Sequence, residues 1–486
     1  MRMVDENDPS LNWEEARLIP VSGIRNAVEQ ERRATSALLA VLTAVEEFGV
    51  AMTKQYGAPK GNLEAFIEMP FELSDGRKVR PDGLIRVSRG KRSWTALLEV
   101  KTGNNELKKD QVEAYLDVAK ENNFDCVLTI SNQIARIPGQ HPVEVDKRKI
   151  KKTDLHHLSW SRVLTEAMLQ RSHRGVADPD QAWILNELIR YMEHSNAGAV
   201  DFNDMGENWV SVREAVKAGT LRHNDKHAFE VAGKWEELVT FAALRLGRRL
   251  GTDVQEVISS KEKKDISIRI SYIVDSMVND AKLPGTIRIP DTISDISLVA
   301  DLRAQQVVAS VTFSAPKTGR APTRINWLLR QLKNAPDSIT LESWATRSRT
   351  SFADVLGNVR AKPDLLVPQD DREIVSFTVS LSGQMGLKRA AGMRSFIDSV
   401  IDTLDVFYAD VVQSLKKWQP PAPKFDGGSA ENKPAPAKRE NEATKDDLKA
   451  ENAPEKEAET PEPTVASPNV DTPADEKTTS DNPSVD

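Results

Sequence analysis

The spacing of apolar residues in the first hundred positions predicts one helix and then three strands. In residues 29–49 apolar side chains recur at positions 38, 41, 42 and 45, which is the helical period, and Gly49 stands where a cap would end the helix. Three apolar runs follow, at 63–73, 78–88 and 93–101, with the turn sequence RGKR between the second and the third.

The period changes again after residue 104. Residues 105–122 place Leu107, Val112, Tyr115 and Val118 on one side of an amphipathic helix. The next run, FDCVLTI, is apolar throughout, as in a strand that is buried on both faces. The predicted order is therefore α, β, β, β, α, β, an α/β arrangement.

Beyond residue 160 the patterns are weaker. SRVLTEAMLQ and residues 178–195 predict helices, the second opened by Asp178 and Pro179, and residues 200–280 suggest mixed structure. An α+β domain is expected from about 285 to 418. Its predicted elements are the strands TIRIP, ISLVADL, QVVASVTF, SITLESWA and EIVSFTVSLS, the helix RINWLLRQLKN and a long helix at 387–417.

The composition changes from residue 420 onward, where Pro, Ala, Glu and Lys dominate and large apolar side chains are rare. Such a segment cannot bury enough surface to offset the entropy lost on ordering, so a disordered tail is predicted. Four regions are expected: an N-terminal α/β domain at 1–160, a mostly helical connecting region at 161–284, an α+β domain at 285–419 and the tail at 420–486.

The predicted tail also decides the net charge. After Pro420 there are 8 Lys and Arg against 16 Asp and Glu, a net of −8, while the whole chain carries −7. Residues 1–420 are therefore close to +1, and the acidic total does not exclude a polyanionic partner. The tail is interpreted as a solvated spacer, with competition against nucleic acid for a basic site as the alternative.

Cysteine use and hydropathy indicate the compartment. Cys126 is the single cysteine and lies in an apolar run, which suggests a buried thiol in a reducing environment. No apolar stretch reaches about 18 residues, and the first residues are acidic rather than a basic leader. We expect a cytoplasmic protein without a membrane partner.

Three charged residues interrupt the predicted strands. Asp82 lies in the second apolar run, and Glu99 and Lys101 lie in the third. Residues two apart project from one face of a strand, so an acid and a base can meet there at a single ion and water. Gln111 and Tyr115 follow with an i, i+4 spacing on one helical face. Charges that face a covered sheet are costly without a metal or partner, which makes a plain structural ion pair the weaker interpretation.

These residues resemble the motifs of a known family. Pro81-Asp82 and Glu99-x-Lys101 resemble the signature of the PD-(D/E)XK nuclease superfamily, and Gln111-x-x-x-Tyr115 resembles the QxxxY element of its RecB-like branch. The order α, β, β, β, α, β is also that of the superfamily core. The resemblance covers about a third of the chain and implies a restriction-endonuclease-like fold and metal-dependent hydrolysis of DNA, in repair or in defence against foreign DNA.

The resemblance also implies a site. Asp82, Glu99 and the backbone carbonyl of Val100 would hold Mg²⁺, with Mn²⁺ as a substitute, because hard oxygen ligands suit these ions. Lys101 would hold or deprotonate the attacking water, or stabilise charge on the phosphate. Gln111 and Tyr115 would orient the site or the nucleic-acid strand.

Relatives in this superfamily often add a glutamate from the first helix. Glu31 is chosen over Glu46 and Glu47 because it precedes the apolar stripe that fixes the helix on the sheet. A surface charge at Glu31 would give the same pattern.

Other features leave alternatives open. Further E-x-K triplets begin at Glu262 and Glu431, and Pro363-Asp364 repeats the Pro-Asp pair, but none has the setting of strand, turn and strand. The basic run KRKIKK at 147–152 suits phosphates or a solvated loop equally. Polar residues near the end of the last core strand are candidates for contacts with a nucleic-acid backbone, and two histidines are interpreted as ordinary polar residues. These are Thr129, Ser131 and Asn132, and then His156 and His157.

Two functions from different classes remain at this stage. The first is a DNA nuclease, and the second is a nuclease-like module that binds nucleic acid or acts as a scaffold without cutting. The whole set of Asp82, Glu99, Lys101, Gln111 and Tyr115 favours the first. The sequence does not decide whether the nucleic acid is DNA or RNA, or whether it is single- or double-stranded. A protein partner or a homodimer also remains an open alternative.

Overall fold

The computed structural model describes residues 16–134, 141–199, 201–369 and 372–419, all within one compact unit. The fold is mixed α/β, as predicted, and contains a five-stranded sheet and a seven-stranded sheet. The segment predicted as a disordered tail, 420–486, lies outside the described residues.

The five-stranded sheet is built from the first part of the chain. Two helices, α1 (Ala27–Ala44) and α2 (Glu46–Lys54), precede it, and α3 (Lys109–Glu121) connects two of its strands. The strands are β1 (Asn62–Ile67), β2 (Phe71–Glu72), β3 (Lys78–Val79), β4 (Gly83–Arg89), β5 (Arg92–Val100), β6 (Cys126–Ser131) and β7 (Asp154–Ser159). The sheet order is β1-β4-β5-β6-β7, antiparallel up to β5 and parallel from β5 to β7, while β2 and β3 pair separately.

The single helix predicted to end at Gly49 is wrong. The chain breaks at Val45 instead, and α2 leaves α1 at 109° with Gly49 inside it. A Cβ at Gly49 would collide with the carbonyl oxygen of Leu42. This glycine therefore allows the two helices to pack closely and does not act as a cap.

The first predicted strand, 63–73, is also interrupted. β1 ends at Ile67, and the chain then makes a small hairpin of β2 and β3 before it enters β4. Pro70 and Pro81 carry no N–H for a ladder, so the regular sheet stops near each of them. Asp82 consequently lies in the turn that leads into β4 and not within a strand.

Helices cover both faces of the five-stranded sheet. Leu98 and Ile130 pack with Leu38 of α1 on one face, and Leu97 packs with Leu116 of α3 on the other. The helices α4 (Trp160–Leu169) and α5 (Pro179–Met192) join the α1 face, and the side chain of Asp178 caps α5 as expected. The strand β7 was missed because its two histidines hide the apolar alternation.

The seven-stranded sheet belongs to the second half of the chain. Its order is β13-β12-β14-β11-β10-β9-β8, with antiparallel neighbours throughout. The strands are β8 (Gln255–Glu256), β9 (Lys282–Arg288), β10 (Ile296–Asp301), β11 (Gln306–Ser314), β12 (Thr340–Ala345), β13 (Ser351–Val355) and β14 (Ile374–Gln384). The helices are α6 (Trp209–Ala218), α7 (Lys226–Leu250), α8 (Ser260–Lys264), α9 (Ile266–Asp280), α10 (Ala321–Gln331), α11 (Leu356–Ala361) and α12 (Phe396–Asp410).

Two expectations for this half are corrected. Residues 201–280 are chiefly helical, which agrees with the mostly helical region expected at 161–284 and corrects the mixed structure suggested by the local pattern, because α7 alone runs for 25 residues with a continuous buried face. The last helix is α12 and not the whole of 387–417. Gly392 has a φ of 124° and Arg394 a φ of 63°, so the chain before Ser395 cannot be helical.

Buried polar contacts join α4 to α7. Arg248 of α7 donates from Nε to the Thr165 hydroxyl at 2.9 Å and also bonds Ser161. Within the described residues no single helix has the length and apolar composition to cross a bilayer, and α1 and α2 meet that test only when the bent pair is taken together.

Candidate active site

The three charged residues predicted from the strands lie together at one end of β5. Asp82 precedes β4, Glu99 is the second-last residue of β5 and Lys101 follows its end. Val100 donates its backbone N–H to Asp82 Oδ2 at 2.8 Å, which joins the turn to the neighbouring strand. Antiparallel pairing of β4 with β5 therefore brings together residues 17 or more positions apart.

The Lys101 ammonium is surrounded by oxygen atoms. Its Nζ lies 2.6 Å from Glu99 Oε1, 3.3 Å from Glu31 Oε2 and 3.3 Å from the carbonyl oxygen of Val100. The side chains of Lys101 and Glu31 are only 13% exposed. The Lys101 ammonium group thus contacts oxygen atoms of both α1 and β5 in a nearly closed space.

Glu99 is the most deeply buried member of this group. Its side chain is 1% exposed, and Oε2 has no hydrogen-bond partner among the described residues. Burial, followed by the nearby charge of Asp82, raises the pKa of Glu99 to about 8, although Lys101 opposes the shift. At neutral pH the Glu99 carboxyl group is therefore mostly protonated and close to its titration midpoint.

The neighbouring groups titrate under the same influences. Burial raises the pKa of Asp82 above its usual value, with partial opposition from the Val100 N–H. Burial alone would lower the pKa of Lys101, but the charges of Glu99, Asp82 and Glu31 together raise it. Lys101 is accordingly a fixed positive charge at neutral pH.

Glu31 is the helix glutamate that reaches this cluster. Asn105 donates from Nδ2 to Glu31 Oε1 at 2.6 Å while Oε2 faces Lys101, so both carboxylate oxygens are oriented. Glu46 pairs instead with Lys60 at 3.4 Å, and Glu47 accepts a hydrogen bond from the backbone of Ala177. Only Glu31 of these three lies beside Lys101.

Gln111 and Tyr115 form one connected pair on α3. Gln111 Nε2 donates to the Tyr115 hydroxyl at 2.9 Å, and that hydroxyl donates to the carbonyl oxygen of Arg80 at 3.3 Å. Burial and the charge of Glu99 raise the pKa of Tyr115, so it stays protonated as a donor. The pair therefore stabilises the turn that contains Asp82.

The oxygen ligands in this group suit a divalent cation. Asp82, Glu99 and the Val100 carbonyl are hard donors of the kind that Mg²⁺ takes, and Glu99 Oε2 is a buried carboxylate oxygen without a partner. In the described part of the chain, no three His, Cys, Asp or Glu side chains are grouped to hold a metal. The proposed ligand set needs only two carboxylates, because Mg²⁺ commonly keeps several waters.

The other polar candidates serve internal contacts. Thr129 and Ser131 are fully buried, and Asn132 donates to the carbonyl oxygens of Gly103 and Gly198. In this structure they hold the loops around the site, so the expected contact with a nucleic-acid backbone is wrong for Thr129 and Ser131. Within the basic run, Arg148 pairs with Asp146 and Lys149 with Asp117.

A network of histidines, which the sequence does not predict, lies beside the site. Thr129 Oγ1 lies 2.8 Å from His141 Nε2 and 2.8 Å from His157 Nδ1, and His157 Nε2 lies 2.8 Å from the carbonyl oxygen of Gln133. Burial lowers the pKa of His141 and of His157 to about 4, so both rings are neutral. Neutral rings in this chain of donors and acceptors link Gln133 and His141 to the sheet.

The sequence signal for this network is weak, because His141 and His157 are 16 residues apart and their rings, with centroids 5.7 Å apart, come together only in the folded chain. Cys126 is a free, buried thiol as predicted, and burial raises its pKa to about 12.

Comparison with protein-family models, with curated proteins and with solved structures finds no match for this chain.

Proposed function

We propose that this protein is a metal-dependent nuclease of the PD-(D/E)XK type that hydrolyses phosphodiester bonds in DNA. The observation that carries the proposal is the convergence of Asp82, Glu99, Lys101 and Glu31 at one end of β5, with a buried and unpartnered carboxylate oxygen on Glu99. Buried polar atoms in folded proteins are generally hydrogen-bonded, to protein or to water, so this oxygen supports a bound ion or water at the site.

The proposed Mg²⁺ would be held by Asp82, Glu99 and the carbonyl of Val100, and it would neutralise phosphate charge and acidify a water molecule. Lys101 already lies within hydrogen-bond distance of two of these ligands, so its ammonium can position a water or stabilise charge on a phosphate oxygen there. Glu31 keeps that ammonium in place from the helix side.

The pair on α3 supports the geometry of the same site. Tyr115 is bonded to the backbone of Arg80, two residues before Asp82, and Gln111 holds the tyrosine hydroxyl. Both side chains can donate to a phosphate or a water, and neither competes with carboxylates for Mg²⁺. In this proposal they orient the turn and the bound strand.

A non-cutting, nucleic-acid-binding or scaffold protein is the second candidate. The observation in its favour is that Lys101 already compensates Glu99 and Glu31 without any added ion. Such a protein would keep the charge cluster as an element of stability, and binding of nucleic acid would not depend on a metal.

One experiment separates the two functions. Purified protein is incubated with labelled linear and circular DNA, single- and double-stranded, and with RNA, in Mg²⁺, Mn²⁺ or EDTA. We expect cleavage of DNA in Mg²⁺ or Mn²⁺ and none in EDTA. Binding without cleavage in every metal would favour the scaffold.

The same assay on variants tests the site. Asp82→Ala, Glu99→Ala and Lys101→Ala should each lower the cleavage rate by roughly 10² or more, as loss of a catalytic charge does. Glu46→Gln is the control, because Glu46 lies outside the cluster. A folded Lys101→Ala protein that cuts as fast as the unmodified protein would show that the site is misassigned.

A further inference from the structure

Two arginines share one carboxylate at the edge of the candidate active site. Glu68 Oε2 lies 2.7 Å from Arg80 and 3.1 Å from Arg32. Arg80 is two residues before Asp82, and Arg32 follows Glu31 on α1. Both guanidinium groups therefore belong to the segments that carry proposed catalytic carboxylates.

The backbone of Glu68 connects this group to Asp82. The Glu68 N–H donates to the carbonyl oxygen of Asp82 at 3.1 Å, and the Glu68 carbonyl accepts from Arg80 Nε at 3.0 Å. Glu68 has a φ of 52°, in the left-handed region that a residue with a side chain rarely occupies. Strain of this kind tends to be kept where function requires a fixed geometry.

The arginines are exposed although they are paired. The Arg32 and Arg80 side chains are 61% and 63% exposed, whereas that of Glu68 is 26% exposed. A guanidinium group has five N–H donors, so a contact with one carboxylate leaves donors that face solvent. Two positive charges against one negative charge give the group a net charge of +1.

We propose that Arg32 and Arg80 form a phosphate-binding site, which holds a phosphodiester of the nucleic-acid backbone next to the scissile one. Glu68 keeps the two guanidinium groups side by side before the strand arrives. The site rests on the proposed nuclease function, and it adds a binding contact that none of the charged residues of the catalytic cluster supplies.

The chemistry of the two arginines suits a phosphate. Two guanidinium groups that flank one acceptor can each donate to separate non-bridging oxygens of a phosphate, and such charge-assisted bonds are among the stronger ones in proteins. The Tyr115 hydroxyl fixes the Arg80 carbonyl, so a ligand on Arg80 is held in a defined place relative to Asp82. Backbone contacts of this kind position a strand without reading its sequence.

The test measures DNA binding without cleavage. Fluorescence anisotropy of a labelled oligonucleotide in EDTA gives Kd at several salt concentrations for Arg32→Ala, Arg80→Ala and the double variant. Each single change should weaken binding roughly threefold to tenfold. The slope of log Kd against log salt concentration should fall by about 0.7–0.9 for each arginine, the value for one released phosphate contact.

The chain supplies a matched control pair. Arg288 is 62% exposed and lies 2.7 Å from Asp295, outside the five-stranded sheet. Arg288→Ala should change neither Kd nor the salt slope. Glu68→Gln should strengthen binding at low salt, because it removes a negative charge beside the phosphate while its amide oxygen can still accept from both guanidinium groups, and Asp295→Asn should not. Arg32→Lys should recover part of the affinity, because it keeps the charge but loses the planar fork.

Competition distinguishes the sources of phosphate. An unlabelled oligonucleotide should displace the probe at a concentration where inorganic phosphate of equal phosphate content does not. Equal displacement by inorganic phosphate would overturn the assignment to a nucleic-acid strand.

The outcomes separate this proposal from the one on which it rests. Binding and cleavage by the unmodified protein, with Arg32→Ala and Arg80→Ala binding as it does, would overturn the phosphate site and leave the nuclease. Binding that depends on both arginines without any cleavage would support the phosphate site and reject hydrolysis. A protein that binds no nucleic acid would overturn both.

Discussion

At Glu99, burial in the folded protein favours the protonated acid, whereas the proposed metal site requires the ionised carboxylate. A carboxylate that is 1% exposed is costly to ionise, and the pKa of about 8 expresses that cost. The folded protein holds a proton on Glu99 at pH values where the unfolded chain has lost it. The contribution of Glu99 to stability is therefore fully present below its ordinary pKa and is lost as the pH rises through about 8.

This sign gives a prediction for Glu99→Gln. In EDTA, the amide should raise Tm by a few degrees at pH 8, where ionised Glu99 is least favourable, and change it little at pH 5. Tm is measured by calorimetry between those two pH values. Glu46→Gln serves as the control, and an equal loss of Tm for Glu99→Gln at both pH values would contradict the account.

The helix α3 joins stability to the proposed function at the scale of an element. One face of it packs on the sheet through Val112 and Leu116, and the Gln111–Tyr115 pair lies where the helix approaches the Asp82 turn. A helix that begins at Lys109 places positions i and i+4 on the same side, so sequence spacing and contact agree here.

Gln111→Ala and Tyr115→Phe should therefore weaken processing of DNA ends or single strands more than they weaken metal binding. Tyr115→Phe removes the hydrogen bond to the Arg80 carbonyl and leaves the ring packed. Exonuclease assays are run beside calorimetric titration of Mn²⁺.

Lys120→Ala, an exposed residue of α3, is the control for both variants. Lost Mn²⁺ affinity with the fold intact would move the pair among the metal ligands. Unchanged cleavage on all substrates would remove the link to the RecB-like enzymes.

At the scale of the whole molecule, the two sheets are joined through helices. Arg248 is 9% exposed and bonds Thr165 and Ser161 of α4 from its place on α7, and it also lies 3.6 Å from Asp201. Burial lowers the pKa of Arg248 from its usual value, with Asp201 in opposition. The hydrogen bonds offset the cost of burying this charge. Their loss would remove a donor from the hydroxyl groups of Ser161 and Thr165, although Thr165 would still donate to the Ser161 carbonyl oxygen at 2.7 Å.

Arg248→Ala should lower the free energy of unfolding by about 1–3 kcal/mol, as loss of a buried hydrogen-bonding group does. Urea unfolding followed by fluorescence measures this value. Arg249→Ala is the matched neighbour, because Arg249 is 57% exposed and its partner Asp405, at 2.5 Å, keeps a second ion pair with Arg245 when Arg249 is lost. Equal effects of the two changes would show that the α4–α7 hydrogen bonds add no more stability than the Arg249–Asp405 ion pair.

Local periodicity determined much of the secondary structure from the sequence alone. The apolar run of β6, the amphipathic face of α3, the RGKR turn between β4 and β5 and the Asp178 cap of α5 lie where they were predicted. The sequence pattern is misleading where one residue type can have two structural roles. The pattern predicts a helix end at Gly49, but this glycine allows close packing against Leu42, and the histidines of β7 mask its apolar alternation.

The contacts of the candidate site also fall into two groups, those that the sequence predicts and those that only the tertiary structure creates. The spacing of Glu99 and Lys101 matches the strand repeat of two, and the two side chains meet at 2.6 Å although Lys101 lies just beyond the end of β5. The sequence selected Glu31 over Glu46 and Glu47, and the tertiary structure brings it to Lys101 across 70 positions. Tertiary structure alone decided that Arg32 and Arg80 share Glu68 and that His141 reaches Thr129. The physical reason is that side-chain periodicity acts within one element, whereas these contacts depend on how α1 and the loops pack against the sheet.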